Sequence, residues 1–142
     1  MSKYNKKILK TKIILVQFLY AYYLHGNIDF ERLNFILIKN NVNKFFYISL
    51  QFFFLNIIGK DLFISSIIDE QVAFINTNSL ISKILLKIAI FELYFCDASS
   101  INDVNANTLV LLKKFCTRYD YITVKSGLVY ILNGYKFFKL LR

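Results

Sequence analysis

Apolar residues recur along this chain at helical spacing, and strict alternation never extends beyond a few residues. The pattern predicts helices throughout. In the first, Leu9, Ile13, Val16, Leu19, Tyr20 and Tyr23 share one face. Lys3, Lys6, Lys7 and Lys10, spaced i, i+3, i+4, i+7, form the opposite stripe, which continues through Ile14, Gln17 and Ala21. Asp29 is placed to cap a helix through "FERLNFILIKN". The run "NKFFYISLQFFFLNIIG" follows, with Gly59 as a C-cap, and Asp61 starts "LFISSIIDEQVAFI". "NTNS" at 76–79 reads as a loop with Asn78 as cap, ahead of a helix over 79–95. After the break "CDASS" the spacing predicts a helix from about Asn102 to Cys116. Another begins near Asp120, holds Gly127 and ends at Asn133-Gly134, before a basic tail, "YKFFKLLR". The expected architecture is all-α, about seven helices with short connections and no linker or repeat.

The helix over 79–95 is apolar nearly all round. Ile81, Ile84, Leu85, Ile88, Phe91 and Phe95 make one stripe, and Leu86, Ile90 and Leu93 cover the far side. Such a helix belongs in the middle of a domain. Glu92 falls inside the apolar stripe, where an ionised carboxylate costs several kcal/mol unless paired or hydrogen-bonded. Without a second carboxylate placed to work with it, Glu92 reads as a structural clamp and not as a catalytic acid.

A chain of 142 residues predicts one domain, 1–142, able to bury roughly two-thirds of its unfolded surface. Its 56% hydrophobic content and mean hydropathy of +0.46 raise the question of a membrane. The longest candidate segments, 13–28 and 45–59, contain Gln, Asn or other polar groups and read as core helices. The basic N-terminus precedes an apolar run, "IILVQFLYAYYL", with no clean cleavage site, so a cytoplasmic protein is expected. Cys96 and Cys116 lie 20 apart without a CxxC, and His25 is the one histidine, too few ligands for zinc. No phosphate-binding loop or dinucleotide fingerprint occurs, and the reading is of a non-enzyme without metal or cofactor. The net charge of +9 adds a partner class, polyanions, with the lysine stripe as the first place to look. Ile, Lys, Asn, Phe and Tyr have AT-rich codons, so a mutational bias would produce the same basic and aromatic excess without selection for binding.

Four segments, in order, resemble the NusB family. "LLKIAIFEL" is similar to its central helix, where a basic residue, an Ile-Ala pair, an aromatic and Glu-Leu recur. "VQFLYAYYL" is similar to its Gln-x-Leu-Tyr signature, "NANTLVLLKKFC" to an Asn-initiated helix ending in Lys, and "YDYITVKSGLVYIL" to its last helix. The likeness spans most of residues 4–133 and is weak over 28–76. Thr108 and Leu111 replace acidic residues of the pattern, Ser126 an Asn, and Tyr130 an aspartate; lysines stand for N-terminal arginines.

The resemblance implies a compact bundle in two halves around a long central helix. It implies a transcription antitermination factor that binds boxA-type single-stranded RNA together with the small-ribosomal-subunit protein NusE and joins RNA polymerase on ribosomal RNA operons. Carried over residue by residue, with Lys3 added from the stripe, the RNA face holds Lys3, Lys6, Lys7, Lys10, Lys12, Gln17 and Tyr20, with the loop around Asp120. Lys83 and Lys87 lie toward the protein partner, and Glu92 and Gly127 are structural. Gln17 can read a base edge, and Tyr20 can stack on a base, although its spacing also suits the core. Two alternatives stand beside this. One is a stand-alone relative of the N-terminal domain of RNA cytosine methyltransferases, since no catalytic domain follows in this chain. The other is a membrane-surface protein using its basic amphipathic first helix.

Overall fold

A computed structural model of the chain describes residues 3–26, 31, 35, 38–39, 44–72, 79–96 and 100–141. Six helices cover most of them: α1 (Lys3–His25), α2 (Lys44–Gly59), α3 (Asp61–Val72), α4 (Leu80–Phe95), α5 (Ile101–Phe115) and α6 (Arg118–Leu140). Glu31, Phe35, Ile38 and Lys39 are also helical, and no strand occurs among the described residues. The all-α expectation holds. Asp29 and Asn78, expected as caps, lie outside the described residues. Among the described residues no single helix is long and apolar enough to cross a membrane.

The chain divides into two compact units, residues 1–59 and 60–142. In the first, α1 packs against α2. Phe54 of α2 meets Phe18 and Tyr22 of α1 edge-on, at 6.2 and 6.0 Å between ring centroids. In the second, α4 is the hub: α3, α5 and α6 all pack on it, and α6 also packs on α3 and α5. Ile84, Leu85, Leu86, Ile88, Ala89, Ile90, Phe91 and Leu93 of α4 are buried. The helix is central by burial and not by length, since α1 and α6, at 23 residues each, exceed its 16. Val124, Gly127, Leu128, Ile131 and Leu132 form the buried face of α6, so Gly127 sits where the helix packs.

Helix ends are where the sequence reading needs correction. Side-chain hydroxyls cap all three of the last helices. Ser79 accepts from the backbone N–H of Ser82 at 3.2 Å, Ser100 from Asp103 at 3.1 Å, and Thr117 from Asp120 at 3.2 Å. Asp120 is therefore not the cap. It stands in the first turn, where its charge faces the positive end of the helix dipole, as Asp103 does in α5. Gly59 does not adopt the left-handed cap conformation, and Asn133-Gly134 does not end α6, which runs on to Leu140. Gly26 does adopt it: at φ 75° it closes α1, donating to the Tyr22 carbonyl at 2.7 Å.

Thr117→Ala should lower unfolding stability by about 1 kcal/mol in urea titration, the usual cost of a lost cap. Asp120→Ala, losing a dipole interaction only, should cost about 0.5 kcal/mol. The reverse ranking would return the cap to Asp120.

Candidate nucleic-acid interface

The first unit presents one face of α1. Leu9, Ile14, Leu15, Val16, Phe18 and Leu19 are buried, while Lys10, Gln17, Tyr20 and Leu24 are exposed. At 100° per residue these four span an arc of about 80°. Lys6, four positions before Lys10 on the same helix, falls within the same sector by register, and Lys3, seven positions before, about 20° past its edge. The side chains of Lys3, Lys6 and Lys7 lie outside the described residues. Two expectations change. Ile14 is buried and not part of the outer stripe, so the exposed sector is narrower than the lysine spacing predicts. Lys12, carried onto the RNA face by resemblance, lies about 200° from Lys10 and is only 6% exposed. Buried on the far side of α1, it is not available to a phosphate. Tyr20, which suited core and surface equally, is on the surface.

His25 is exposed at the last turn of α1. The exposed face thus offers a cation, an amide and a phenol, an arrangement that can pair a phosphate, read a base edge and stack.

The second unit holds the other predicted residues. Asp120 is half-buried at the corner between α5 and α6. The corner is more basic than Asp120 alone suggests. Lys113 of α5 and Lys125, one turn along α6 from Tyr121, place their Nζ atoms 5.8 and 5.9 Å from the centroid of the Tyr121 ring. Lys114, Arg118 and Tyr119 are exposed next to them. The sequence reading assigned none of these residues to a site, although Lys113-Lys114 and Arg118 fall within six positions of one another. Thr108 and Leu111, the departures on α5, are both buried, Ser126 donates to the Ile122 carbonyl at 3.3 Å, and Tyr130 is exposed.

Cys116 at this corner is half-buried and in hydrogen-bond range of the Ser82 hydroxyl, Sγ to Oγ 3.4 Å. Burial pushes its thiol above the ordinary 9.0; the Ser82 bond opposes this, and the Asp120 charge adds to it. Cys96 is also half-buried and in no disulfide.

On α4, Lys83 is exposed, whereas Lys87 is not open surface. Its Nζ donates to Asp61 Oδ1 at 2.7 Å, and its side chain is 13% exposed. Asp61 also accepts from Ser65 at 3.4 Å. Lys87 therefore ties α4 to the start of α3, and of the two lysines expected near a protein partner only Lys83 is open to one. Glu92 is 4% exposed, as its place in the apolar stripe predicts.

Comparison with protein-family models, curated proteins and solved structures gave no match to the chain.

Two outcomes follow from this geometry. Lys87→Gln and Asp61→Asn should each lower stability, by about 0.5–1 kcal/mol, and the double variant should cost little more than either, a coupling a double-mutant cycle reads directly. Lys83→Gln should stay within about 0.5 kcal/mol of the parent. The second concerns pH. A thiol whose value is raised in the folded state favours folding below its unfolded value, and that contribution disappears as pH rises through the folded value. Stability should hold up to about pH 9 and fall above it, and Cys116→Ala should flatten the fall. An equally steep fall in Cys116→Ala would assign it to other groups.

Proposed function

We propose that this chain is an RNA-binding protein of the transcription antitermination type, taking boxA-like single-stranded RNA with the small-ribosomal-subunit protein NusE as part of an RNA polymerase complex. The observation that carries the reading is the α1 face. Lys10, Gln17 and Tyr20 are exposed on one narrow sector while the apolar sector opposite is buried. The four NusB-like segments support it: "LLKIAIFEL" lies in the buried hub helix α4, and Gly127 lies on the packing face of α6, positions suited to structural roles. Lysines on α1 supply phosphate contacts, which fix register without reading sequence. Gln17 and Tyr20 supply base-edge and stacking contacts. The basic corner around Asp120 offers further phosphate contacts through Lys113, Lys114, Arg118 and Lys125. Lys83 is the position for the protein partner. No residue is assigned a chemical step, and the protein acts by binding in the cytoplasm.

Burial of α1's apolar sector weighs against the membrane-surface alternative for this helix, since an interfacial helix must present that sector to lipid.

The test is an electrophoretic titration with boxA-like RNA, with and without NusE, across salt concentrations. Each lost phosphate contact reduces the slope of log affinity against log salt by about 0.7. Lys6→Gln, Lys7→Gln and Lys10→Gln together should flatten the slope by roughly two units and weaken cognate and scrambled RNA alike. Gln17→Ala should weaken cognate RNA only, with the slope intact. Unchanged affinity and slope in the triple variant would remove the site from α1.

A further inference from the structure

The end of the second unit where α3 begins and α4 and α6 finish carries a surface of a different kind. Tyr94 joins the three helices: its ring lies 5.7 Å from Phe63 of α3 and 5.1 Å from both Tyr135 and Phe138 of α6. Phe63 also meets Phe95, edge-on at 5.4 Å. Around this aromatic base the large apolar side chains point outward. Leu62 is 89% exposed, Leu140 82%, Leu141 73% and Phe137 63%. Every residue from Lys136 to Leu141 is exposed, with Phe138 alone of the apolar side chains there also seated against Tyr94 among the described contacts. Lys136 and Lys139 are interleaved with the apolar residues, and Lys60 places its Nζ 5.0 Å above the Phe95 ring. Residues 121–142 contain four cations, Lys125, Lys136, Lys139 and Arg142, and no acidic residue.

We propose that this end of the second unit is a docking surface for an anionic lipid bilayer, with Phe137, Leu140, Leu141 and Leu62 entering the headgroup boundary and Lys60, Lys136 and Lys139 meeting lipid phosphates. The combination selects the occupant. Exposed leucines have no stacking use against bases, and Tyr94, Phe63 and Phe95 are already packed edge-on against other rings, so single-stranded RNA would leave the most protruding groups unused. A second copy of the chain would bring the same lysines against these, like charge on like. An anionic bilayer satisfies both sets: protruding aliphatic and aromatic groups partition into the interface, and lysines reach headgroup phosphates along their own apolar stems. The surface belongs to the second unit, shares no residue with the α1 face, and stands whether or not that face binds RNA.

The experiment is flotation of the full chain with phosphatidylcholine vesicles, with and without added phosphatidylglycerol. The parent should float with the anionic vesicles and only weakly with phosphatidylcholine alone. Phe137→Ser with Leu140→Ser should weaken binding at least about ten-fold, because both protrude and both lose apolar insertion. Lys136→Gln with Lys139→Gln should remove roughly ten-fold or more of the preference for anionic vesicles. All four positions are exposed, so circular dichroism should show an unchanged fold, and RNA titration should be unchanged in both double variants. Four results would overturn the proposal. They are no flotation with anionic vesicles; flotation unaffected by the Phe137→Ser, Leu140→Ser pair; flotation lost instead on replacing Lys6, Lys7 and Lys10; and sedimentation showing that the serine pair converts a dimer to a monomer, which gives the surface to a second copy.

Discussion

A helix that is apolar on every side has one stable solution: it must be surrounded. The burial of α4 imposes that constraint on the whole of the second unit. Its buried residues run almost without interruption from Ser82 to Leu93, and three helices are needed to cover them. Each neighbour needs only one apolar sector, so α3, α5 and α6 are amphipathic and keep polar or mixed faces outward. The charged positions of α4 are held to the same geometry. Lys87 reaches the helix edge and is fixed there by Asp61, whereas Glu92 stays inside, where a carboxylate is tolerated only with polar company. Replacing the Lys87–Asp61 pair therefore loosens a joint between α3 and α4 and leaves the apolar contacts intact.

Much of this was legible in the sequence because burial follows the hydrophobic period. The positions of α4 and α5 follow from the spacing of Ile, Leu and Phe alone, and Glu92 announces its burial by its neighbours. The ends were less legible, for a local reason. Ser, Thr, Asn and Asp all accept from backbone N–H groups, so a stretch such as "NTNS" or "TRYD" offers competing caps, and the choice depends on which residue first turns extended. Thr117 does, at ψ 164°, and leaves Asp120 inside the helix. Glycine misleads in the opposite direction. Gly134 costs only about 1 kcal/mol within a helix, less than the packing of Tyr135 and Phe138 on Tyr94 can return.

The candidate interface was legible only in part. Helical geometry distinguishes Lys10 from Lys12 without any structure, since two positions along a helix turn the side chain about 200°. Resemblance placed both on one surface, and the geometry corrects it. Width was harder to read. Spacing puts Ile14 on the lysine stripe, but its burial shows that the packed sector of α1 extends past its centre, leaving a narrow exposed arc. The basic corner of α5 and α6 depends in part on tertiary contact: Lys125 meets Tyr121 one turn away on the same helix, but Lys113 reaches that ring only because α5 packs against α6.

Positive charge by itself therefore says little about what this protein meets. A composition biased towards lysine distributes cations over every face, and a bias in the genome would do so without selection for binding. The residues between the lysines discriminate. On α1 they are Gln17 and Tyr20, groups with a hydrogen-bonding edge and a flat ring, set over a buried apolar sector that lipid cannot reach. At the end of α6 they are phenylalanine and leucine, groups with no polar atom, with Phe137, Leu140 and Leu141 strongly exposed among the described residues. The first set can distinguish one polyanion from another by its bases, because amide and phenol make contacts that differ between bases. The second cannot read a sequence at all, but it gains from any phase that accepts hydrocarbon beside phosphate. With lysine common to both sets, the intervening side chains decide whether the attraction leads to reading or to anchoring.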